Sequence, residues 1–94
     1  MARAVFNSTV IAESGDTILV EGNHYFPPDA IRREHLEESD QRSVCPWKGT
    51  ASYYDVVVDG ARAAGAAWYY PQPKRKAKQL RDHVAFWGDV TVEA

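Results

Sequence analysis

The chain has 94 residues, a formal charge of −2 at neutral pH and a pI near 5.8. This length predicts one small domain spanning residues 1–94, with no room for a second hydrophobic core. The charge balance argues against nucleic acid and anionic lipid as partners, because both attract proteins with a strong excess of cations. The only cysteine excludes an intrachain disulfide, which suits a reducing compartment.

The longest apolar run, residues 63–70, is far shorter than the ~20 residues of a membrane span. Residues 1–6 precede polar sequence and lack the hydrophobic stretch of a signal peptide. We therefore expect a cytoplasmic protein with no membrane partner.

The first quarter of the chain predicts short strands separated by turns. Residues 3–6, 9–12 and 17–20 are rich in β-branched side chains and are bounded by Gly, Asn, Ser and Asp. Residues 24–26 are a fourth candidate strand, which ends at Pro27 because proline cannot donate to a β-ladder.

The next segment is polar. Asp29 is a candidate cap for a helical turn at residues 30–33. Residues 34–43 contain Leu36 as their only large aliphatic side chain, too little apolar surface for a buried helix. They predict a surface strand or loop that leads into Cys45.

Residues 53–58 give the strongest strand signal, and Asp59-Gly60 after them is typical of a type I′ turn. Residues 61–70 are ambiguous, since alanines favour a helix while Gly65 and the aromatic end favour a strand. We predict the strand, because the preceding turn favours a return pairing.

The C-terminal quarter predicts a short exposed helix over residues 74–80, followed by a hairpin. In that hairpin residues 84–86 pair with 90–92 around the turn at 87–89. The expected fold is thus mainly β: one small domain of short antiparallel strands with one or two short helical turns.

Chemical specificity is concentrated at Cys45-Pro46-Trp47-Lys48-Gly49. Cys45 is either a buried structural thiol or a reactive one. Pro46 and Gly49 place it beside a turn, and an ammonium at Lys48 close to the sulfur would favour the nucleophilic thiolate.

A nucleophilic cysteine also needs a base. Of His24, His35 and His83, we prefer His24 because it lies between a turn and an aromatic pair. One cysteine and three scattered histidines lack the paired spacing of a zinc site, so we predict neither a metal nor another cofactor.

Aromatic side chains could either fill the core or form the floor of a ligand pocket beside Cys45. Of these, we prefer Tyr25, Tyr53 and Trp68 as ligand contacts, together with His24. The wider group of aromatic candidates comprises Tyr25, Phe26, Trp47, Tyr53, Tyr54, Trp68, Tyr69 and Tyr70. Two charged segments either form solvated faces or meet within or between subunits, and the basic segment could instead contact a phosphate or nucleic acid. The basic segment comprises Lys74, Arg75, Lys76, Lys78 and Arg81, and the acidic segment comprises Glu34, Glu37, Glu38 and Asp40.

Four stretches together resemble the bacterial family catalogued as domain of unknown function 427, across nearly the whole chain. They are Tyr25-Phe26-Pro27, Cys45-Pro46-Trp47-Lys48-Gly49 with Ala51 and Tyr53, Ala67-Trp68 with Tyr70-Pro71, and Val84-Ala85-Phe86.

The resemblance implies a small β-rich domain similar to the β-tent group. It also implies that Tyr25, Cys45, Lys48, Tyr53 and Trp68 converge near one end. The zinc of some β-tent proteins, which use paired cysteines, is not expected here. The family is sometimes labelled nucleotidyltransferase, but this chain has neither the Gly-Ser pair nor the Asp-x-Asp pattern of such enzymes.

Three functional hypotheses follow. The leading one is a small-ligand-binding domain in which Lys48 binds an anionic group and the aromatic rings cover a planar part. The second is an enzyme that uses Cys45 as a nucleophile or redox thiol, with Lys48 assisting. The third is a structural module that forms a homo-oligomer through its charged segments.

Overall fold

A computed structural model describes residues 1–94 and is mainly β. The strands are β1 (Ala2–Phe6), β2 (Thr9–Ser14), β3 (Ile18–Val20), β4 (Asn23–Tyr25), β5 (Leu36–Cys45), β6 (Gly49–Val58), β7 (Ala61–Tyr69), β8 (Val84–Phe86) and β9 (Thr91–Glu93). The 3-10 segments are Pro28–Ala30, Arg33–His35 and Arg75–Leu80. The predicted class is confirmed, and its helical part is limited to these short 3-10 turns.

The strands form three small antiparallel sheets, in the orders β2-β1-β9, β3-β4 and β5-β6-β7-β8. Phe26 extends β4 towards β8, because its backbone N–H and C=O both bond to Val84, at 2.8 and 2.9 Å. This exchange brings the β3-β4 hairpin alongside the four-stranded sheet.

Three hairpins close with two-residue loops in which both residues have positive φ, as type I′ turns require. The loops are Asn7-Ser8, Glu21-Gly22 and Asp59-Gly60. The turn predicted at Asp59-Gly60 and the return strand after it are confirmed.

The predicted C-terminal hairpin is wrong. β8 pairs with β7 through Ala67 and Phe86, whereas β9 pairs with β1 through Ala4 and Val92. The Val90 amide bonds to the Trp87 carbonyl at 3.2 Å and reverses the chain out of the four-stranded sheet. β9 then completes the free edge of β1, which satisfies more backbone groups than an isolated pair of three-residue strands.

The helical turn expected at residues 30–33 forms earlier. Its 3-10 turn covers Pro28–Ala30 and contains Asp29, which makes no capping hydrogen bond. Proline at the first position presets φ for the turn, and extended Ile31 ends it by pairing with Ala12.

The segment predicted as an exposed helix at 74–80 is instead the 3-10 segment Arg75–Leu80. Ala77 and Leu80 are fully buried on its inner side, while its cationic side chains are exposed. Residues 36–45 form the expected surface strand, β5.

Two apolar clusters fill the interior. The larger one packs the three-stranded sheet against the four-stranded sheet and includes Ile11, Phe26 and Val56. The smaller one, which includes Tyr25, Tyr70 and Leu80, lies under the Cys45–Gly49 turn. No helix of the chain has the length and apolar character needed to cross a bilayer.

Candidate functional site: an aromatic hollow beside a buried lysine

The turn from Cys45 to Gly49 joins β5 to β6, and these two residues are paired across the hairpin. The chain after Pro73 holds this turn in place. The Lys74 amide donates to the Lys48 carbonyl at 2.9 Å, and the Lys74 ammonium donates to the Pro46 carbonyl at 2.7 Å. Two bonds from one residue thus fix both sides of the turn.

Lys48 is buried, with only 8% of its side chain exposed. Its ammonium forms an ion pair with the carboxylate of Glu21, which lies in the β3-β4 turn and is 54% exposed. The ammonium also lies 5.2 Å from the Trp47 ring centroid and 5.8 Å from that of Tyr70. A lysine this buried needs such partners, because desolvation penalises an unpaired charge.

The partners keep Lys48 charged. Burial is the largest influence and disfavours its ammonium, but the Glu21 hydrogen bond and weaker electrostatic contributions together outweigh it, so the pKa of Lys48 lies above its ordinary value. The same hydrogen bond lowers the pKa of Glu21. Burial raises the pKa of Tyr70 to about 12, although the charge of Lys48 acts in the opposite direction. At neutral pH, Lys48 is therefore a cation and Tyr70 a phenol.

An open-sided cavity of about 240 Å³ lies beside the ammonium. Its walls come from β4, β6, β7, the turn before β6, and the residues that follow β7 and β8. They are predominantly aromatic. The lining residues are Asn23, Tyr25, Lys48, Tyr53, Trp68, Tyr70 and Trp87.

Trp68 organises the aromatic wall. Its indole N–H donates to the Tyr25 hydroxyl at 3.2 Å, and the two rings meet edge to face with centroids 6.1 Å apart. On its other side Trp68 contacts Trp87 edge to face at 6.5 Å. Tyr53 lies directly opposite Trp68 in the β6-β7 ladder. Edge-to-face contacts of this kind are favourable, and they fix the orientations of Tyr25, Trp68 and Trp87 relative to one another.

A bulge in β7 positions Trp87 at the mouth of the cavity. Gly65, with φ +62°, donates its amide to the Asp55 carboxylate at 2.8 Å. Its carbonyl accepts the indole N–H of Trp87, also at 2.8 Å. The second oxygen of Asp55 pairs with Arg62, which also pairs with Glu37. The ionic network therefore supports the wall through the backbone of the bulge.

Four of the residues preferred for the site line this cavity together: Tyr25, Lys48, Tyr53 and Trp68. Tyr70, from the wider group of aromatic candidates, also lines it. Cys45 is not among the lining residues. It is partly buried and packs against the smaller apolar cluster.

None of the candidate bases hydrogen-bonds the sulfur of Cys45. His24 is outside the cavity lining, and its Nδ1 lies 2.8 Å from the Thr17 hydroxyl. His83 Nδ1 lies 3.0 Å from the Arg81 carbonyl.

The structure adds three site residues that sequence reasoning missed: Glu21, Asn23 and Trp87. Glu21 lies 27 positions from Lys48, so no local spacing connects them. The one local signal for Glu21 is an unusual turn sequence: Glu-Gly stands in a two-residue hairpin loop where Asn-Gly or Asp-Gly is the usual pair.

The two charged segments do not pair within the chain, contrary to one of the interpretations given above. All five cations of the basic segment are exposed and form no ion pair, and the one paired acidic residue, Glu37, binds Arg62. No group of three or more His, Cys, Asp or Glu side chains is arranged to hold a metal ion.

No curated protein matches the chain. One family model does, over residues 1–94, which is the whole sequence. The short label of that family, NTP_transf_9, is consistent with the nucleotidyltransferase name, and its description assigns no function. The motif around Cys45–Gly49 thus identified the family correctly, and the chain belongs to the family described as Domain of unknown function (DUF427).

Proposed function

We propose that this domain binds a small molecule made of a planar ring and an anionic group. The observation that carries the proposal is the placement of a buried, charged Lys48 beside a cavity whose other walls are almost all aromatic. The ammonium would bind the anion, and the rings would cover the planar part.

The polar groups near Lys48 favour an anion. An ammonium has three donors and no acceptor, and its one hydrogen bond within the protein goes to Glu21. The Tyr25 oxygen already accepts a bond from Trp68, so its own O–H is free to donate. The raised pKa of Tyr70 keeps that hydroxyl protonated. These donor groups belong to residues that line the same cavity, and they would stabilise negative charge there.

The aromatic walls favour a planar partner. Trp68 and Trp87 meet at 83°, so a flat ring can lie on the face of one indole while its edge meets the other. A volume of about 240 Å³ is below the 300–1,000 Å³ that is common for drug-sized ligands. The expected ligand therefore has one ring system and a short anionic substituent.

Catalysis by Cys45 has less support. No histidine hydrogen-bonds its sulfur, and the residue does not line the cavity. A nucleophilic thiol normally needs a base within hydrogen-bond reach.

A thermal-shift and calorimetric comparison tests the proposal. The probes are benzoate, phenyl phosphate and benzenesulfonate, with acetate and inorganic phosphate as ring-free controls. We expect the ring-bearing anions to raise Tm and the ring-free ones to have far smaller effects.

Lys48→Met keeps the length of the side chain but removes its charge, and should weaken binding at least about tenfold. Lys76→Met removes an exposed cation of the basic segment and is the matched control. Absence of any response to the aromatic anions, or equal affinities in both variants, would refute the proposal.

A further inference from the structure

We propose that Glu21 is a built-in competitor for the anion site, and that the ligand which displaces it from Lys48 is a phosphate monoester of a planar group. This inference rests on the proposed function and adds to it a ligand class and a specificity-determining residue.

Glu21 already occupies the place of a ligand anion. Its carboxylate bonds to the Lys48 ammonium, and that ammonium lines the cavity. An incoming anion must therefore share the ammonium with Glu21 or replace it, since two carboxylate-like groups at one cation repel each other.

The two partners differ in how easily each can leave the pair. Lys48 is held by its backbone bond to Lys74 and by the rings on either side. Glu21 is more than half exposed and lies at the tip of a hairpin of two three-residue strands. Release resolvates its carboxylate, which is already more than half exposed, whereas Lys48 would have to leave a buried position. Glu21 is therefore the group that moves.

Glu21 occupies a position that suits other residues better. Its φ is +54°, a conformation that favours Gly, Asn and Asp and that costs energy for a longer side chain. The turn itself does not need a glutamate. What glutamate adds is a carboxylate long enough to reach Lys48.

The donors near Lys48 outnumber the oxygens of a carboxylate. The ammonium and the hydroxyls of Tyr25 and Tyr70 belong to three residues that line the same cavity. A phosphate monoester has three terminal oxygens and a charge of about −1.5 to −2 at neutral pH, whereas a carboxylate has two oxygens and one charge. Of these two anions, the phosphate has enough oxygens for all three donor groups, and it carries the greater charge with which to outcompete Glu21.

Isothermal titration of phenyl phosphate at about pH 8, where this probe is a dianion, tests the inference. The variants are Glu21→Gln and Glu21→Asn, the second because Asn suits a type I′ turn and keeps the hairpin intact. The matched control is Glu13→Gln, which removes the carboxylate of another ion pair in β2.

Removing the competitor should tighten phenyl phosphate binding by about five- to tenfold in both Glu21 variants and leave the control unchanged. In the wild type, benzoate should bind at least about tenfold more weakly than phenyl phosphate, because it lacks the third oxygen and the second charge.

The alternative outcomes separate this inference from the proposed function. Unchanged or weaker binding in the Glu21 variants, with binding still dependent on Lys48, would overturn the competitor role alone. Equal affinities for benzoate and phenyl phosphate would overturn the phosphate class. If neither probe binds the wild type or the Glu21 variants, the proposed function fails and this inference fails with it.

Discussion

The backbone amide of Lys74 donates to the carbonyl of Lys48 at 2.9 Å. The two segments can approach this closely because Gly49, between them, has no side chain. The position of the lysine is therefore fixed by its backbone, while its ammonium makes the contacts within the cavity. Such preorganisation lowers the entropy cost of binding, since the cation does not have to be ordered by the ligand.

Gly49→Ala should destabilise the domain strongly. The residue has φ +115°, and a Cβ there would lie 3.3 Å from the Gln72 carbonyl oxygen and 3.6 Å from the Lys74 amide nitrogen. We expect a loss of about 3 kcal/mol in the free energy of unfolding, measured by urea denaturation. Gly22→Ala is the control, because its φ is +81° but nothing lies within 4 Å, and it should cost about 1 kcal/mol. Equal costs for the two would contradict the close approach.

Asp55→Ala should cost about 2 kcal/mol of stability, because it leaves the buried amide of Gly65 without a partner. Glu37→Ala removes the exposed end of the same network and should cost under about 0.5 kcal/mol. Both costs are to be measured by denaturant unfolding at neutral pH. A small effect of Asp55→Ala would show that the bulge does not depend on this carboxylate.

Stability should fall in alkaline solution because of Tyr70. Its folded-state pKa is raised from 10.0 to about 12 by burial, so the folded protein retains a proton that the unfolded chain loses. The contribution is fully present below pH 10 and is lost as pH rises towards 12. Tyr70→Phe keeps the ring but removes this titration, so its alkaline decline should be shallower than that of the wild type. Parallel declines would contradict the burial of the phenol.

Cys45→Ser should leave ligand binding unchanged within about twofold, since the thiol does not line the cavity. It should cost about 1 kcal/mol of stability, because the side chain is partly buried against the smaller apolar cluster. Calorimetry and urea denaturation measure the two effects. Loss of binding with unchanged stability would instead assign the thiol a direct role in the site.

The sequence predicted the strands well where one local signal dominates. β6 and β7 follow from β-branched and aromatic residues around Asp59-Gly60, a turn that specifies its own pairing. The two C-terminal strands were predicted, but their pairing was wrong. They pair with β7 and β1 rather than with each other, and short apolar segments do not encode which edge they complete.

The site was predicted in the same uneven way. Tyr25, Lys48, Tyr53 and Trp68 were identified through the motif and meet at the cavity. Glu21 was missed because it reaches Lys48 only where the turns of two separate hairpins meet. Trp87 was missed because its indole N–H is bound by the bulge in β7. Such a contact is set by packing between segments, which local sequence patterns do not report.

The most direct test follows the three indole N–H signals of ¹⁵N-labelled protein during titration with phenyl phosphate, in the wild type and in Lys48→Met. Trp68 and Trp87 line the cavity, and Trp47 lies beside the Lys48 ammonium. We predict saturable shifts of the Trp68 and Trp87 signals in the wild type, which are lost in Lys48→Met. Signals that do not move, or that move equally in both proteins, would contradict an anion site at Lys48.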